Sequence, residues 1–239
     1  MNSNRSNFKR VLLKLSGEAL AGQTKTGIEP AILSQVASEI AEVNAAGVQI
    51  AVVVGAGNIF RGSLGEKLGI DRVKGDYMGM LGTIINSMAL EDALKKINVP
   101  ATVMTSVEMK SFAEYFTIRD AIRKLEEGQV VIAAGGTGHP FFTTDTASAL
   151  RAVEIGANCM LKATRVDGVY TADPEKDASA VKIDEVEYIR ILQDKLRILD
   201  LTCVTLCMDN SLPIIVFDLF KKGSLVKAVM GEKIGTMIF

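Results

Sequence analysis

The sequence predicts an α/β fold in which a mostly parallel sheet carries helices on both faces. Apolar runs of strand length alternate with segments of helical periodicity from one end of the chain to the other. The apolar runs end in glycine-rich or polar turns, as strands that lead into helices do. No linker rich in Pro, Gly or Ser divides the 239 residues. We therefore expect one continuous domain with two lobes, residues 1–150 and 151–239.

Each element of this fold has a local signal. A helix is expected where Pro30 opens an apolar stripe and Gly47 follows it. The strands are predicted at 11–15, 48–54, 101–104, 130–134, 159–163 and 213–217, with a candidate edge strand at 236–239. Further helices are predicted at 78–97, 112–125, 200–209 and 223–230, and after the glycine-rich loop, where apolar residues recur at helical spacing from 147 to 155.

Composition and charge argue against several classes of function. The formal net charge is −1 and there is no long basic stripe, which argues against a nucleic-acid partner. Lys, Asp or Gly interrupts each apolar stretch before it reaches the length of a membrane span. The first ten residues lack an apolar signal core and predict a short disordered tail. These observations predict a cytoplasmic protein without a membrane partner.

Cysteine and histidine usage narrows the chemistry. Cys159, Cys203 and Cys207 form no CxxC pair and lie among apolar residues, so we interpret them as reduced core thiols rather than metal ligands. His139 is the only histidine, which argues against His-paired nucleophiles and His-rich metal sites. We predict no metal site built from protein ligands alone.

The strongest functional signal is the stretch 130–145, VVIAAGGTGHPFFTTD. An apolar strand runs into a glycine-rich loop and then into a helix N-terminus. Such a loop exposes backbone N–H groups, and the positive end of the helix dipole favours a phosphate. The alternative is a tight turn in which Thr144 caps the helix.

Candidate site residues fall where four predicted strands end, at 14–17, 55–61, 135–145 and 164–173. In an open α/β sheet, ligands collect beyond the carboxyl ends of the strands. The residue types there are Gly, Lys, Arg, Thr and Asp, which suit phosphoryl transfer. The Walker A, dinucleotide-binding and protein-kinase patterns are all absent from the sequence.

Four blocks of sequence resemble the amino acid kinase family: KLSGEAL (14–20), VVVGAGNIFRG (52–62), AGGTGHPFFTTDTA (134–147) and KATRVDGVYTADP (162–174). GDYMGML (75–81), the TGxPFFTTD loop and MGEKIGT (230–236) are similar to the members that phosphorylate UMP. The resemblance implies a three-layer αβα fold, a homohexamer, and transfer of the γ-phosphoryl of ATP to UMP in pyrimidine nucleotide biosynthesis. It also implies Mg²⁺ bound with ATP.

The resemblance also implies roles for individual residues. Lys14, Arg61 and Asp145 would be catalytic. ATP would contact Lys14, Leu15, Ser16, Gly17, Gly57, Arg61, Thr164, Tyr170 and Asp173. UMP would contact Ala56, Asp76, Thr137, Gly138, His139, Pro140, Phe141, Phe142, Thr143 and Thr144. In the family GTP often activates and UTP inhibits, so the resemblance implies both as effectors, and the GTP response would involve Gly22, Gln23, Thr24, Lys25, Thr26 and Gly27.

These roles suit the side chains physically. Lys14 is a point charge at a strand end and Arg61 offers a bidentate fork, both suited to phosphate oxygens. Asp76 would accept from ribose hydroxyls, or else cap the helix after it. Asp145 would hold Lys14 or order Mg²⁺. Lys162 lies within a strand, so its direction is open, and we expect Lys14 to be the catalytic cation.

Two residues depart from the family pattern. Ala56 stands where a glycine is usual, so either this position is not left-handed or the loop shifts. His139 replaces an asparagine, which changes the size of the group beside the base.

Other interpretations stay open. Lys14 could be an ordinary strand-end lysine, Tyr170 a half-buried core residue, and the Met-rich stretch 78–88 a core or subunit face. The chain could also phosphorylate a carboxylate or carbamate. Many members of the family have a second catalytic lysine late in the chain, and its absence around 200–208 argues against this alternative. A third alternative is a nucleotide sensor without catalytic activity.

Overall fold

The fold is described here from a computed structural model. It describes residues 8–24, 26–172, 177, 179–194, 196 and 198–239, and for residues 63, 64 and 66 it describes the backbone alone. Most of the predicted disordered tail, together with Lys25 and Asp173, lies outside the described residues.

The chain alternates strands and helices as the sequence predicts. The strands are Arg10–Leu15 (β1), Gln49–Val54 (β2), Ala101–Thr105 (β3), Glu114–Tyr115 (β4), Val130–Ala134 (β5), Cys159–Thr164 (β6), Val169–Tyr170 (β7), Lys182–Ile183 (β8), Glu185–Val186 (β9), Ile214–Asp218 (β10) and Thr236–Ile238 (β11). The helices are Gly17–Leu20 (α1), Pro30–Ala45 (α2), Gly62–Lys67 (α3), Arg72–Lys96 (α4), Ile118–Glu126 (α5), Thr144–Glu154 (α6), Tyr188–Gln193 (α7), Leu201–Asp209 (α8) and Ser224–Val229 (α9).

Nine strands form one sheet in the order β4-β3-β5-β2-β1-β6-β10-β11-β9, and β7 and β8 form a separate hairpin. Within the nine-stranded sheet, β10 and β11 pair antiparallel and the other neighbouring pairs are parallel. Successive residues of β1 enter different cores: Leu13 lies in one apolar cluster and Leu12 in the other. Because a strand alternates its side chains between two faces, helices must cover both faces. The predicted three-layer αβα fold is confirmed.

The topology places the four predicted loops side by side. They follow β5, β2, β1 and β6, which are consecutive neighbours at the centre of the sheet. Parallel pairing puts all four carboxyl ends at the same edge. The sheet therefore gathers residues that are far apart in sequence around one point, as the rule for open α/β sheets predicts.

The first turns of α4 correct the prediction for 65–76, which we expected to be loop-rich before a helix at 78–97. The helix begins at Arg72, and the Asp71 carboxylate accepts from the backbone N–H groups of Val73 and Lys74. Asp76 therefore lies inside the helix and does not cap it. Glycine at 75, 79 and 82 interrupts the apolar stripe, which explains why the pattern understated this helix.

Two smaller predictions are also wrong, and one hairpin was missed. Residues 112–117 are not helical: β4 pairs with the end of β3, and α5 starts after Thr117, whose hydroxyl accepts from Asp120 N–H at 3.1 Å. The candidate edge strand β11 lies between β10 and β9, so β9 forms the edge. The hairpin of β7 and β8 was not predicted. None of the described helices combines the length and apolar character needed to cross a membrane.

Candidate active site

A buried carboxylate lies between two lysines at the centre of the sheet edge. Lys14 on β1 and Lys162 on β6 are partners in the parallel register, so their side chains project from the same face. Lys14 Nζ lies 2.6 Å from Asp145 Oδ1, and Lys162 Nζ lies 2.6 Å from Asp145 Oδ2. Lys162 also donates to the Ile198 carbonyl. The strand-end cluster predicted around Lys14 therefore contains a second ammonium group.

Burial and the neighbouring charges shift the pKa values of Asp145 and Lys162. Burial alone would raise the pKa of the Asp145 carboxyl, but the ammonium groups of Lys14 and Lys162 outweigh burial and hold that pKa below its ordinary value. For Lys162 the balance differs: burial lowers the pKa of its ammonium group, and the attraction of Asp145 offsets this only in part. Two cations around one carboxylate leave a net positive charge, which suits a phosphate.

The loops after β1 and β2 approach each other so closely that side chains cannot fit. A Cβ on Gly17 would lie 2.5 Å from the carbonyl oxygen of Gly55. Asn58 and Asn86 form a reciprocal pair of amide hydrogen bonds at 2.7 and 3.0 Å, and Asn86 also donates to Gly55 O at 2.7 Å. This buried pair anchors the loop after β2 to α4.

Ala56 resolves one departure from the family pattern. Among the described residues, the non-glycine residues with positive φ are Asn98, Phe141 and Ser211, so Ala56 is not left-handed. Its methyl group is buried against Gly82, and a Cβ added to Gly82 would lie 2.9 Å from the Ala56 Cβ. An alanine is compatible with this loop because the backbone conformation does not require glycine here.

Arg61 lies at the rim of the site. Its Nη2 pairs with Glu18 Oε1 at 3.0 Å, and its Nε donates to Gly57 O at 3.0 Å. About half of the side chain is exposed. The fork lies beside Gly57 and its partners are protein oxygens, so its contact with a phosphate stays a prediction.

The glycine-rich loop after β5 adopts a left-handed backbone at three positions. Gly135, Gly136 and Gly138 have φ of 77°, 59° and 83°, a region that other residues rarely enter. The Thr83 hydroxyl accepts from Gly135 N–H at 2.9 Å, which fixes the start of the loop on α4. The glycines that predicted this loop are thus required by its shape.

Asp76 connects α4 to the far end of the same loop. Its carboxylate accepts from Phe141 N–H at 2.7 Å and from Arg72 Nε at 3.0 Å. Phe141 has φ of 72°, and the Arg72 guanidinium lies 5.8 Å from its ring centroid. Asp76 therefore positions the loop, and the contact with ribose hydroxyls stays a prediction.

The N-terminus of α6 is capped by Thr143 rather than by Thr144. The Thr143 hydroxyl accepts from Asp145 and Thr146 N–H groups at 3.0 and 3.3 Å. Asp200, the N-cap of α8, accepts from the hydroxyls of Thr143 and Thr146. This carboxylate holds the helix start that carries Asp145.

Six of the predicted UMP or ATP residues line one cleft of about 250 Å³, which we call the loop cleft. They are Ala56, Gly57, Asp76, Phe142, Thr143 and Thr144. The cleft lies between the loop after β2, the first turns of α4 and the glycine-rich loop. Thr137, Gly138 and His139 instead line a larger cavity of about 790 Å³, here called the side cavity, which shares Phe142 with the loop cleft.

The loop after β6 borders a second, basic pocket of about 230 Å³. Lysines at 182, 221, 222, 227 and 233 line it, and we call it the lysine pocket. Asp167 on its wall accepts from the Tyr170 hydroxyl at 2.6 Å. That hydrogen bond and the nearby ammonium groups of Lys221 and Lys182 lower the pKa of Asp167 to about 2, although burial opposes them. The predicted ATP residues Thr164, at the end of β6, and Tyr170, on β7, flank this loop and are both half-buried.

The predicted effector segment lies against the loop after β2. Asn58 donates to Gly27 O at 2.7 Å, and Gly27 N–H donates to Asn58 O at 3.0 Å. Gly22, Gln23 and Thr24 line a cavity of about 710 Å³.

Sequence reasoning left some site residues open or missed them. The strand register gives the direction of Lys162, which the sequence alone did not settle. Asn86 and Thr83 lie on α4 outside the motifs quoted above, and of the lysines in the second pocket only Lys233 lies in one, MGEKIGT. The roles of these residues therefore appear only in three dimensions.

The fold and this site together define a phosphoryl-transfer enzyme of the α/β class. A model of the amino acid kinase family matches residues 9–218, and the chain belongs to that family. It is 54% identical over 231 residues to a uridylate kinase from Porphyromonas gingivalis, covering 97% of each chain. It is 52% identical over 231 residues to one from Bacteroides thetaiotaomicron, covering 97% of this chain and 98% of that one. The crystal structure of UMP kinase from Bacillus anthracis superimposes with a TM-score of 0.94 at 40% identity, covering 97% of this chain and 96% of that one.

Proposed function

We propose that this chain transfers the γ-phosphoryl group of ATP to UMP, which gives UDP and ADP and serves pyrimidine nucleotide biosynthesis. The relatives named as uridylate or UMP kinases over nearly the whole chain support this substrate. One observation carries the chemistry: the Asp145 carboxylate holds Lys14 and Lys162 together at the carboxyl ends of adjacent strands. Phosphoryl transfer needs this kind of fixed positive charge around the moving group.

The two nucleotides are assigned to the two pockets. The loop cleft would take UMP, since it joins the helix N-terminus of α6 to Asp76 and the glycine-rich loop. The lysine pocket would take part of ATP, because its cations suit a polyanion and Thr164 and Tyr170 flank the loop beside it. The lobes predicted at 1–150 and 151–239 would then correspond to acceptor and donor sides.

Mg²⁺ fits this site as an ion that arrives with ATP. The described residues include no group of three or more His, Cys, Asp or Glu side chains that could form a protein cage. Asp145 Oδ1 lies 2.6 Å from Lys14 Nζ, and because a carboxylate oxygen can accept more than one hydrogen bond, it could also accept a water of the hydrated ion. When bound, the metal would neutralise charge on the phosphates. Lys14 and Arg61 would position those phosphates, and Asp145 would hold the lysines.

The acceptor is tested with a coupled ADP-release assay against UMP, CMP, GMP, glutamate derivatives and carbamate. We expect UMP to be the preferred acceptor, because a site built to hydrogen-bond the base edge rejects a base with the wrong polar groups. Equal turnover of CMP would contradict UMP selectivity. Activity on an acid instead would identify a different member of the family, and no turnover at all would identify a sensor.

We further propose a homohexamer built as a trimer of dimers. An apolar stripe on α4 supports it: Leu81, Ile85 and Met88 lie on one side of the helix and are 50%, 50% and 39% exposed. Light scattering of the wild type should give about six times the mass of the chain. Leu81→Asp combined with Ile85→Asp should give a smaller particle, while Ile189→Asp, an exposed residue of α7, should not. A wild-type monomer at micromolar concentration would contradict the assembly.

Regulation by GTP and UTP and a cytoplasmic location complete the proposal. The hydrogen bonds between Gly27 and Asn58 connect the effector segment to the loop after β2, whose Ala56 and Gly57 line the loop cleft. This connection supports an influence of GTP on the site. The chain's three cysteines are buried free thiols, in keeping with a reducing compartment.

A further inference from the structure

We propose that Arg151 is a positioning residue that fixes the glycine-rich loop through the hydroxyl of Ser106. Neither residue belongs to the motifs of the sequence, and neither lines the loop cleft. The inference rests on the proposed function in so far as the loop binds UMP.

Ser106 is the residue against which the loop is folded. It follows β3, the neighbour of β5, and its N–H donates to Ala134 O at 3.1 Å. Its Oγ lies 2.6 Å from Gly136 O and 3.1 Å from Ala134 O. A Cβ on Gly138 would lie 3.2 Å from the Ser106 Cβ, so the loop also packs tightly on this side chain.

Arg151 approaches the same hydroxyl from α6. Its Nη2 donates to Ser106 Oγ at 3.2 Å, and its Nη1 pairs with Glu154 at 2.5 Å. The guanidinium stacks on the Phe116 ring at 4.1 Å from the centroid, and the residue is 8% exposed. Three contacts therefore fix the direction of its donor groups.

The chemistry of the two groups makes the arrangement directional. A guanidinium has donors only, so Ser106 must accept from Arg151. The hydroxyl has a single proton, which is then available for a loop carbonyl, and Gly136 O is the closer acceptor. Arg151 thus orients the hydroxyl that holds the left-handed segment.

The contact also couples two parts of the site. Arg151 is on α6, whose first turn carries Thr144 and Asp145. Its hydrogen bond to Ser106 connects this helix to the glycine-rich loop, because Ser106 in turn contacts Gly136 O. The side cavity of about 790 Å³ borders the loop and is lined in part by Arg151, Thr137 and Gly138. Ser106 therefore holds the middle of the loop, between Thr83 at its start and Asp76 at its far end.

The test is a double-mutant cycle of Ser106→Ala and Arg151→Met, since methionine can keep a contact with the Phe116 ring. We expect each single variant to raise the KM for UMP about tenfold, the effect of one lost hydrogen bond. The KM for ATP and kcat should change less than about twofold. The double variant should be no worse than either single variant, because the two residues act through one hydroxyl. Arg151→Lys, which keeps a donor, should recover part of the loss.

Hydrogen–deuterium exchange of the peptide spanning 130–145 gives a readout that needs no substrate. Both single variants should speed exchange in this loop, whereas Arg123→Met, a change to an exposed arginine of α5, should not. Additive effects in the cycle, or equal losses for UMP and ATP, would overturn the proposal. A wild type that does not bind UMP would refute the proposed function, and the exchange data would still decide whether Arg151 positions the loop.

Discussion

Replacement of Lys14 by alanine is expected to lower kcat by about 100- to 1000-fold, the usual cost of removing one charge-stabilising contact from a transition state. Within the described chain, the Lys14 ammonium pairs with Asp145 alone, so N–H groups remain for a phosphate. Lys162 already donates to both Asp145 and Ile198 O. Lys162→Ala should therefore lose less in kcat than Lys14→Ala.

Steady-state kinetics on both variants tests this ranking, with circular dichroism as the check on folding. Lys95→Ala is a matched control, because Lys95 is an exposed lysine near the end of α4 that pairs with Glu91. It should keep wild-type kcat. The opposite ranking, with Lys162→Ala the more damaging change, would make Lys162 the principal catalytic cation.

The Asp145→Asn variant should be destabilised by about 3 kcal/mol near neutral pH and should also lose most of its activity. The change leaves two buried ammonium groups without their anion. Removing one partner of a buried ion pair destabilises the fold more than replacing the whole pair by apolar residues. Circular dichroism during denaturation by urea measures the free energy of unfolding. Asp120→Asn removes a carboxylate from the first turn of α5, where it is exposed, and should change stability little.

The pH dependence of the Asp145→Asn effect follows from the lowered pKa of Asp145. A carboxyl whose folded pKa lies below its unfolded value, about 3.9, stabilises the fold fully above that value. The contribution is lost as the pH falls through the folded pKa. The stability gap between wild type and Asp145→Asn should thus be constant between pH 6 and 8 and narrow below about pH 4. A gap that widens on acidification would contradict the assignment of a charged Asp145.

The sequence was most informative where a local constraint is strong. Left-handed backbone at 135, 136 and 138 requires glycine, so the residues themselves marked the loop. Buried parallel strands need continuous apolar runs, and these predicted β1, β2, β5 and β6 to within a residue or two. The sequence therefore determined the fold class, the edge of the sheet that carries the site, and the resemblance to a kinase family.

The tertiary structure decided how the side chains share that edge. Lys162 lies opposite Lys14 because of the register of β1 against β6. The sequence of β6 alone does not show on which face of the sheet the Lys162 side chain lies. The alternative interpretation of Asp76 as a helix cap is wrong, because α4 begins at Arg72 and Asp71 caps it. Ser106 and Arg151, 45 residues apart, meet through the pairing of β3 with β5 and the packing of α6. Local sequence fixes backbone conformation, whereas long-range contacts depend on how the layers pack.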